Sequence, residues 1–217
     1  RGKSIGAVWS MDSFHPLFTI GHSNLELGTF LSILQERGIS LLVDVRSRPR
    51  SFHHPQFTQP EFEQAVRQAG VNYLFLGEEL GGRPEDPRAY RPNGVIDYRA
   101  WRRSRAFRDG FERLLQELSR RPSALLCAEE DPITCHRFLM ICPELTLAGV
   151  EPLHLRKGGL VETQREAEDR LLEAHGFSDV TSASLFSDGR AAALEDAYAD
   201  QAKKCAFRVD PLTVDVW

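Results

Sequence analysis

Five short runs of apolar residues are spread along the chain, and each has the length and composition of a β-strand. Most of them are continuous rather than alternating with polar residues. Continuous apolar runs are typical of strands that are covered on both faces, so the pattern favours a mainly parallel sheet. The predicted strands lie at residues 17–20, 41–45, 71–76, 124–128 and 152–155.

Helical periodicity fills the intervals between these strands. The clearest stripe is formed by Phe107, Phe111, Leu114, Leu115 and Leu118, which repeat at i, i+4, i+7, i+8 and i+11. Strands that alternate with helices are typical of βαβ units with right-handed crossovers. We therefore predict an α/β fold of the Rossmann-like, three-layer kind, with a mainly parallel central sheet and helices on both faces. Further helices are expected from Asn24 to Gly38 and at residues 60–69, 135–149, 162–175 and 189–204. Pro143 should kink or split the helix at 135–149.

The chain divides into one main domain and two flanking segments. The α/β pattern extends over residues 15–176. Residues 1–14 are expected to be disordered or introduced by cloning, and residues 177–217 to form a small C-terminal helical extension and tail. Inside the domain, residues 76–105 are rich in glycine and proline and show no helical period, which predicts a long loop that is either functional or disordered.

Composition narrows the class of protein. The chain has 217 residues, of which 41% are hydrophobic and 27% charged, and these values fit one globular domain with a short extension. We find no secretory signal and no apolar run long enough to cross a bilayer, so we expect a cytoplasmic protein with no membrane partner. The four cysteines should then be thiols or ligands rather than disulfides. Nothing in the sequence assigns a cofactor or an oligomeric state.

Charge is unevenly distributed. The net charge of −4 argues against non-specific binding of nucleic acid by the whole molecule. Residues 88–121, however, carry ten arginines against four acidic residues, whereas residues 122–217 carry nine basic and seventeen acidic residues. The basic segment could attract a phosphate-bearing ligand, or it could be a solvated helix face.

Polar residues follow four of the predicted strands. In open parallel α/β sheets, ligands bind beyond the carboxyl ends of the strands, so these residues are expected to meet in one site. Each also has a structural interpretation: a cap, a loop tie, a tight turn or a core cysteine. The residues are His22 and Ser23 after the first strand, Asp44 and Arg46 at the second, Gly81, Gly82 and Arg83 after the third, and Cys127, Glu129, Cys135, His136 and Arg137 after the fourth.

Cys135 opens a predicted helix, directly before His136 and Arg137. The helix dipole and the two neighbours would lower the pKa of this thiol and make it a nucleophile. Equally, the helix start could cradle an anion, or Cys135 could be a structural cap. A metal site is not expected, because the spacing from Cys127 to Cys135 is wider than in a zinc knuckle and no second close pair of cysteines or histidines completes it.

Four blocks of sequence resemble the signatures of one known family, the domain of unknown function 488 family. The blocks are TIGHS at 19–23, LVDVR at 42–46, LGG at 80–82 and CAE at 127–129 followed by CHR at 135–137, and the resemblance covers about residues 17–176. It implies an α/β fold with a clustered site and no settled activity. A weaker similarity in layout connects Asp44, Cys127 and residues 157–159 with rhodanese sulfurtransferases, but the loop after Cys127 is longer and acidic.

These observations favour an enzyme acting on a phosphate-bearing substrate, either a nucleotide or a nucleic-acid end. Arg46, Arg83 and Arg137 would bind the anion, with Ser23, Gly81, Gly82 and His136 completing the binding site. Glu129 or Asp44 would act as general base or acid, His22 or His136 as a proton carrier, and Cys135 as nucleophile. The alternatives are a non-catalytic module that binds a nucleotide or nucleic acid, and a rhodanese-like cysteine sulfurtransferase.

Overall fold

A computed structural model of the protein describes residues 14–177 and 187–209. Six strands form one sheet in the order β3-β2-β4-β1-β5-β6, in which every neighbouring pair is parallel except β5 and β6. Residues 1–13 of the predicted N-terminal segment lie outside the described residues. The strands are β1 (Leu17–Gly21), β2 (Leu41–Asp44), β3 (Asn72–Phe75), β4 (Ser123–Cys127), β5 (Leu153–Leu155) and β6 (Val161–Thr163).

Eight helices surround the sheet in the described part of the chain. They are α1 (Leu27–Glu36), α2 (Glu61–Gln68), α3 (Gly77–Leu80), α4 (Tyr98–Arg102), α5 (Arg105–Leu118), α6 (Cys142–Leu147), α7 (Gln164–Ala174) and α8 (Ser187–Cys205). The segment expected to be a loop at 76–105 contains α3 and α4, which are too short to show a helical period. Strand β6 was also not predicted, because three largely exposed residues leave no apolar signal.

The sheet is buried on both faces, which confirms the predicted α/β architecture. Neighbouring strand residues point into different cores: Leu42 packs with Phe30 and Phe62, whereas Val43 packs with Leu114 on the other face. Because both faces need apolar side chains, the strands read as continuous apolar runs rather than alternating ones.

The strands end together at one edge of the sheet. Gly21 of β1 is in register with Cys127 of β4, and Asp44 of β2 is in register with Leu126 of the same strand. Parallel pairing therefore brings the residues that follow β1, β2 and β4 to the same edge, as the sequence predicts.

The segment expected to be helical at 135–149, with a kink or a break at Pro143, is divided into two parts. A π-helical turn at Arg137–Ile141 leads into α6, and Pro143 occupies the first turn of that helix. Proline has no backbone N–H, so it is tolerated at a helix start but not in a continuous helix. The π-turn directly follows Cys135 and His136, and such turns are frequent at functional sites.

Helix α8 and the residues after it pack against the α/β domain. The Gln201 side chain donates a hydrogen bond to the carbonyl of Ile133 at 3.1 Å. Further along, the backbone N–H of Ile96 donates to the carbonyl of Phe207 at 3.0 Å. These contacts carry the chain to the edge where the strands end. Among the helices that the structure describes, none has the length and apolar character needed to cross a membrane.

Candidate functional site

A cavity of about 430 Å³ lies at the carboxyl ends of the strands. This volume is in the range of small-molecule binding sites. Of the described residues that line it, four are arginines and Glu129 is the one carboxylate. The lining residues are His22, Arg46, Ser47, Arg48, Arg50, Ser51, Phe52, Gly82, Arg83, Tyr98, Cys127, Ala128, Glu129, Thr134, His136, Cys205 and Phe207.

Close packing between the loops after β1 and β4 places Glu129 in the cavity wall. The backbone N–H of His22 donates to the carbonyl of Cys127 at 3.0 Å, and that of Ser23 to the carbonyl of Ala128 at 2.8 Å. A Cβ atom on Gly21 would lie 1.7 Å from the carbonyl oxygen of Glu129. Only glycine at position 21 therefore allows the two loops to approach this closely.

Four polar side chains converge at one wall of the cavity. The Cys127 thiol donates to Oε2 of Glu129 at 2.9 Å, and its Sγ lies 3.5 Å from Nδ1 of His136. The Sγ of Cys135 lies 3.8 Å from the same nitrogen. One ligand-capable atom from each of these four residues lies within 4.8 Å of all the others. We call this group the Cys127–Glu129–Cys135–His136 cluster.

The imidazole of His136 is held in a fixed orientation. Its Nε2–H donates to the carbonyl of Val45 at 2.9 Å, and Nδ1 faces the two sulfur atoms. On one side the ring packs against Gly82, where a Cβ atom would lie 2.9 Å from the imidazole Cγ. The predicted convergence of the third and fourth strand ends is therefore present at these two residues.

The two thiols of the cluster differ in their surroundings. Burial raises the pKa of Cys127, and its interaction with Cys135 adds to this effect. Burial also opposes ionisation of Cys135, but the interaction with Cys127 and the positive charges of Arg137 and His136 outweigh it and lower the pKa of Cys135 well below its usual value. Cys135 is 1% exposed and does not line the cavity, so a nucleophilic role for it would require the wall to open.

His22 is a neutral wall residue rather than a proton carrier near neutral pH. Burial, followed by the charge of Arg46, lowers the pKa of His22 to about 4. Its Nδ1–H donates to the carbonyl of Ser23 at 3.0 Å, and its ring stacks on Phe57 with 4.4 Å between centroids. We therefore correct the acid–base role expected from the sequence for His22.

Asp44 is likewise not placed for catalysis. Its carboxylate is fully buried and accepts hydrogen bonds from Nε and Nη2 of Arg46 and from the hydroxyl of Tyr73. Nη1 of Arg46 donates to the carbonyl of Phe57 at 2.8 Å. The guanidinium of Arg46 borders the cavity, but Asp44 serves to hold it and does not reach the space itself.

Arg137 does not bind an anion in this arrangement, contrary to the expectation from the sequence. The side chain is fully buried. Nε donates to the hydroxyl of Thr19 at 3.2 Å, Nη1 to the carbonyl of Glu129 at 2.7 Å and Nη2 to the carbonyl of Glu130 at 2.9 Å. Each nitrogen of the guanidinium has a partner, and the side chain fixes the loop that carries Glu129.

Arg83 is exposed and borders the cavity as expected. Its guanidinium lies 4.6 Å from the centroid of the Phe207 ring, and its backbone N–H donates to the Ser47 hydroxyl at 2.8 Å. Gly81 packs against Ser47 behind the wall, since a Cβ atom there would lie 2.3 Å from the hydroxyl oxygen. Ser23 borders a separate depression beside α1 and not this cavity.

Several lining residues were not among the predicted site residues. Arg48 and Arg50 follow β2 directly, so their position after a strand was a usable signal. Three further lining residues reach the cavity only through tertiary packing. Tyr98 belongs to α4, Cys205 ends α8, and Phe207 follows it. No local pattern in the sequence marks these three residues.

The fold and the site together define an α/β protein with a basic cavity at the carboxyl ends of its parallel strands. The chain belongs to the DUF488 family, a domain of unknown function, whose model matches residues 26–141. This range is shorter than the 17–176 expected from the resemblance, but it includes the Asp44–Arg46 pair, the two glycines at 81–82 and the whole Cys127–Glu129–Cys135–His136 cluster.

Other comparisons add no named relative of known activity. No curated protein matches the chain. Two crystal structures of a DUF442 protein from Shewanella putrefaciens CN-32 are similar in outline. The first is 10% identical, covers 93% of this chain and 94% of that chain, and has a TM-score of 0.37. The second is 12% identical, covers 90% and 98% of the two chains, and also has a TM-score of 0.37.

Proposed function

We propose that the protein is an enzyme that binds a small phosphate-bearing substrate in the cavity at the strand ends. The observation that carries this proposal is the charge of the cavity lining, in which four arginines face one carboxylate among the described residues. A nucleotide or the phosphorylated end of a nucleic acid has the matching charge, and the planar guanidinium suits the geometry of a phosphate group.

The arginines of the lining differ in their capacity to bind an anion. Arg46 is neutralised by Asp44 and contributes mainly by shaping the wall. Arg50 and Arg83 lie over aromatic rings, at 4.9 Å from the Phe52 centroid and 4.6 Å from the Phe207 centroid. Within the described part of the chain neither of them has a carboxylate partner. Stacking on a ring orients a guanidinium while its N–H groups stay available in the plane.

Among the candidate catalytic residues, Glu129 has the position that best suits a catalytic role. It is the exposed carboxylate of the lining, and its backbone is held by Arg137, so the side chain is presented to the cavity from a fixed loop. A general base must reach the proton that it removes, and Glu129 meets this requirement for a ligand or water in the cavity. The thiol of Cys127 donates to Glu129, which supports a base there more than a reactive thiolate at Cys127.

Binding is tested by calorimetric titration of the full chain with nucleoside mono- and diphosphates and with a 5′-phosphorylated dinucleotide. We expect Arg50→Ala and Arg83→Ala each to weaken the Kd about tenfold or more, because a hydrogen bond to a charged group contributes about 1.5–3 kcal/mol. Arg105→Ala removes an exposed arginine of α5 that does not line the cavity, and it should leave the Kd unchanged. Equal weakening by all three replacements would indicate general electrostatics and refute the site.

Turnover is tested by chromatography of the same compounds after incubation. Glu129→Gln keeps the size of the side chain and removes its basicity, so we expect the variant to retain the Kd of the wild-type protein and to lose product formation. Binding without turnover by the wild-type protein would instead favour the alternative of a nucleotide-binding module.

A further inference from the structure

We propose that the Cys127–Glu129–Cys135–His136 cluster is a zinc site, in which the two Sγ atoms and Nδ1 of His136 bind the ion and Glu129 stands at the fourth corner. The site lies at the wall of the cavity and supplies a metal that the sequence did not predict. The inference stands on the geometry of the cluster alone and does not depend on the substrate proposed above.

The distances within the cluster fit tetrahedral coordination. With Zn–S bonds of about 2.3 Å and a Zn–N bond of about 2.0–2.1 Å, a tetrahedral angle separates sulfur and nitrogen by about 3.5–3.6 Å. The two Sγ–Nδ1 distances of the cluster are 3.5 and 3.8 Å, for Cys127 and Cys135 respectively. Both sulfur–nitrogen distances are therefore at or close to the tetrahedral value, and the two Sγ atoms lie within 4.8 Å of each other, so small adjustments of side-chain torsions would let a Zn²⁺ ion bind all three atoms.

The surroundings of the cluster support metal binding. The Nε2–H of His136 donates to the carbonyl of Val45 at 2.9 Å. This hydrogen bond keeps a proton on Nε2, which is the tautomer that metal binding through Nδ1 requires. Cys127 ends β4, and Cys135 is held by backbone hydrogen bonds from its N–H to the carbonyl of Pro132 and from Phe138 to its own carbonyl. The backbone that carries the two cysteines is therefore held in place. The ring of His136 is held by the hydrogen bond that its Nε2–H donates to Val45.

The donor set selects the kind of ion. Two thiolates and one imidazole suit a borderline-soft divalent cation and not Mg²⁺ or Ca²⁺, which prefer oxygen. Three protein ligands with a fourth position toward a cavity are typical of catalytic zinc, whereas structural sites are closed by four ligands. Binding replaces the thiol protons, which pass to solvent, and involves no change of oxidation state.

The other carboxylates of the same loop are engaged elsewhere. Glu130 pairs with Arg156 at 3.0 Å, and Asp131 pairs with Arg170 at 2.7 Å. Only Glu129 among these three lies in the cluster, where its carboxylate can hold the water molecule that completes the tetrahedron. The sequence did not predict the site because eight positions separate Cys127 from Cys135. The two cysteines come together because the loop between them folds back on the Arg137 guanidinium.

The test measures metal binding by the full-length chain after treatment with a chelator and kept under reductant. We expect one equivalent of Zn²⁺ per chain in competition with a chromophoric chelator. Cys127→Ala and Cys135→Ala should weaken the affinity by more than the roughly 10–100-fold that is typical for loss of an outer-shell partner. The matched control is Cys142→Ala, which removes another fully buried free thiol from the helix that follows, and it should bind zinc as the wild type does.

Two measurements on the wild-type protein keep the test decisive if a variant fails to fold. Substitution with Co²⁺ should give the intense visible bands of a tetrahedral thiolate complex, and X-ray absorption of the zinc-loaded protein should show two sulfur ligands and one imidazole. Substoichiometric zinc, a first shell without sulfur, or an unchanged affinity in both ligand variants would each overturn the proposal. So would formation of a Cys127–Cys135 disulfide by a protein that does not take up zinc when reduced.

Discussion

His154 lies in β5 with no exposed surface, and both of its ring nitrogens are hydrogen-bonded. Nδ1 is 2.8 Å from the hydroxyl oxygen of Thr19, and Nε2 is 3.1 Å from Oε1 of Gln164. Thr19 accepts a hydrogen bond from Nε of Arg137, and among the described contacts Nδ1 of His154 is the acceptor within reach of the Thr19 hydroxyl hydrogen. His154 then accepts at Nδ1 and donates at Nε2, so this network requires the neutral imidazole.

The magnitude of this requirement follows from the pKa of His154. Burial, followed by the positive charge of Arg137, lowers this pKa from 6.5 to about 4, while Glu162 acts in the opposite direction. Between these two pH values the unfolded chain binds a proton at His154 that the folded protein does not bind. The free energy of unfolding therefore falls as the pH decreases through this window. The difference corresponds to about 3 kcal/mol, fully present above pH 6.5 and lost at about pH 4.

The assay is chemical denaturation of the wild type and of His154→Gln at intervals between pH 4.5 and 7.5. Glutamine does not titrate and can still donate a hydrogen bond to Gln164. We expect the variant to be less stable at pH 7.5 but to lose less stability as the pH decreases. His22, whose pKa is also about 4, contributes a dependence of the same sign, so the slope of the unfolding free energy against pH should decrease without reaching zero. His15→Gln, a replacement at an exposed position, is the control.

Parallel pH profiles for the wild type and His154→Gln would refute this reasoning. They would mean that His154 binds protons equally in the folded and unfolded states, which is incompatible with an acceptor role for Nδ1. A reduced slope in the His15→Gln control as well would show that loss of any histidine has the same effect, and would point to net charge instead of the buried network.

Three further replacements test the packing that shapes the cavity. Gly21→Ala places a Cβ atom against the carbonyl of Glu129, so we expect destabilisation beyond the roughly 1–3 kcal/mol of ordinary overpacking; a thermal unfolding midpoint equal to that of the wild type would contradict this. Arg137→Met leaves buried carbonyls without donors and should cost about 3–5 kcal/mol in chemical denaturation, and a cost under about 1 kcal/mol would show that Arg137 does not hold the loop. Tyr73→Phe removes the hydroxyl that donates to Asp44 and should cost about 1–3 kcal/mol of stability with the fold unchanged. An unaffected stability would show that this hydrogen bond does not help to hold Asp44.

The positions of the strands could be predicted because burial on both faces leaves a strong signal. Leu42 and Val43 are adjacent and enter opposite cores, so the whole run must be apolar. Once the strands are parallel, the edge to which His22, Arg46 and Cys127 belong follows from topology alone. This is why the candidate cavity lies at the edge that the sequence indicates.

The roles of individual side chains at that edge could not be predicted in the same way. Asp44 ends β2 and Glu129 follows β4, yet Asp44 is enclosed by Arg46 and Tyr73 whereas Glu129 faces the cavity. That difference depends on a neighbouring strand and on a loop held by Arg137, which are distant in sequence. Phe207 borders the cavity because α8 packs against the domain, and its local sequence carries no sign of this contact.

The arginines with a structural role differ from the candidate ligand-binding arginines in the hydrogen bonds that they make. Arg46 and Arg137 have low exposure, and each uses all three guanidinium nitrogens on protein oxygens, so a ligand would have to displace an existing partner. Arg50 and Arg83 keep their donors, because an aromatic ring holds each guanidinium by its face. Since breaking a buried charge pair costs several kcal/mol, the phosphate of the proposed substrate would bind at the exposed arginines first. The buried arginines hold the cavity wall next to which the exposed ones lie.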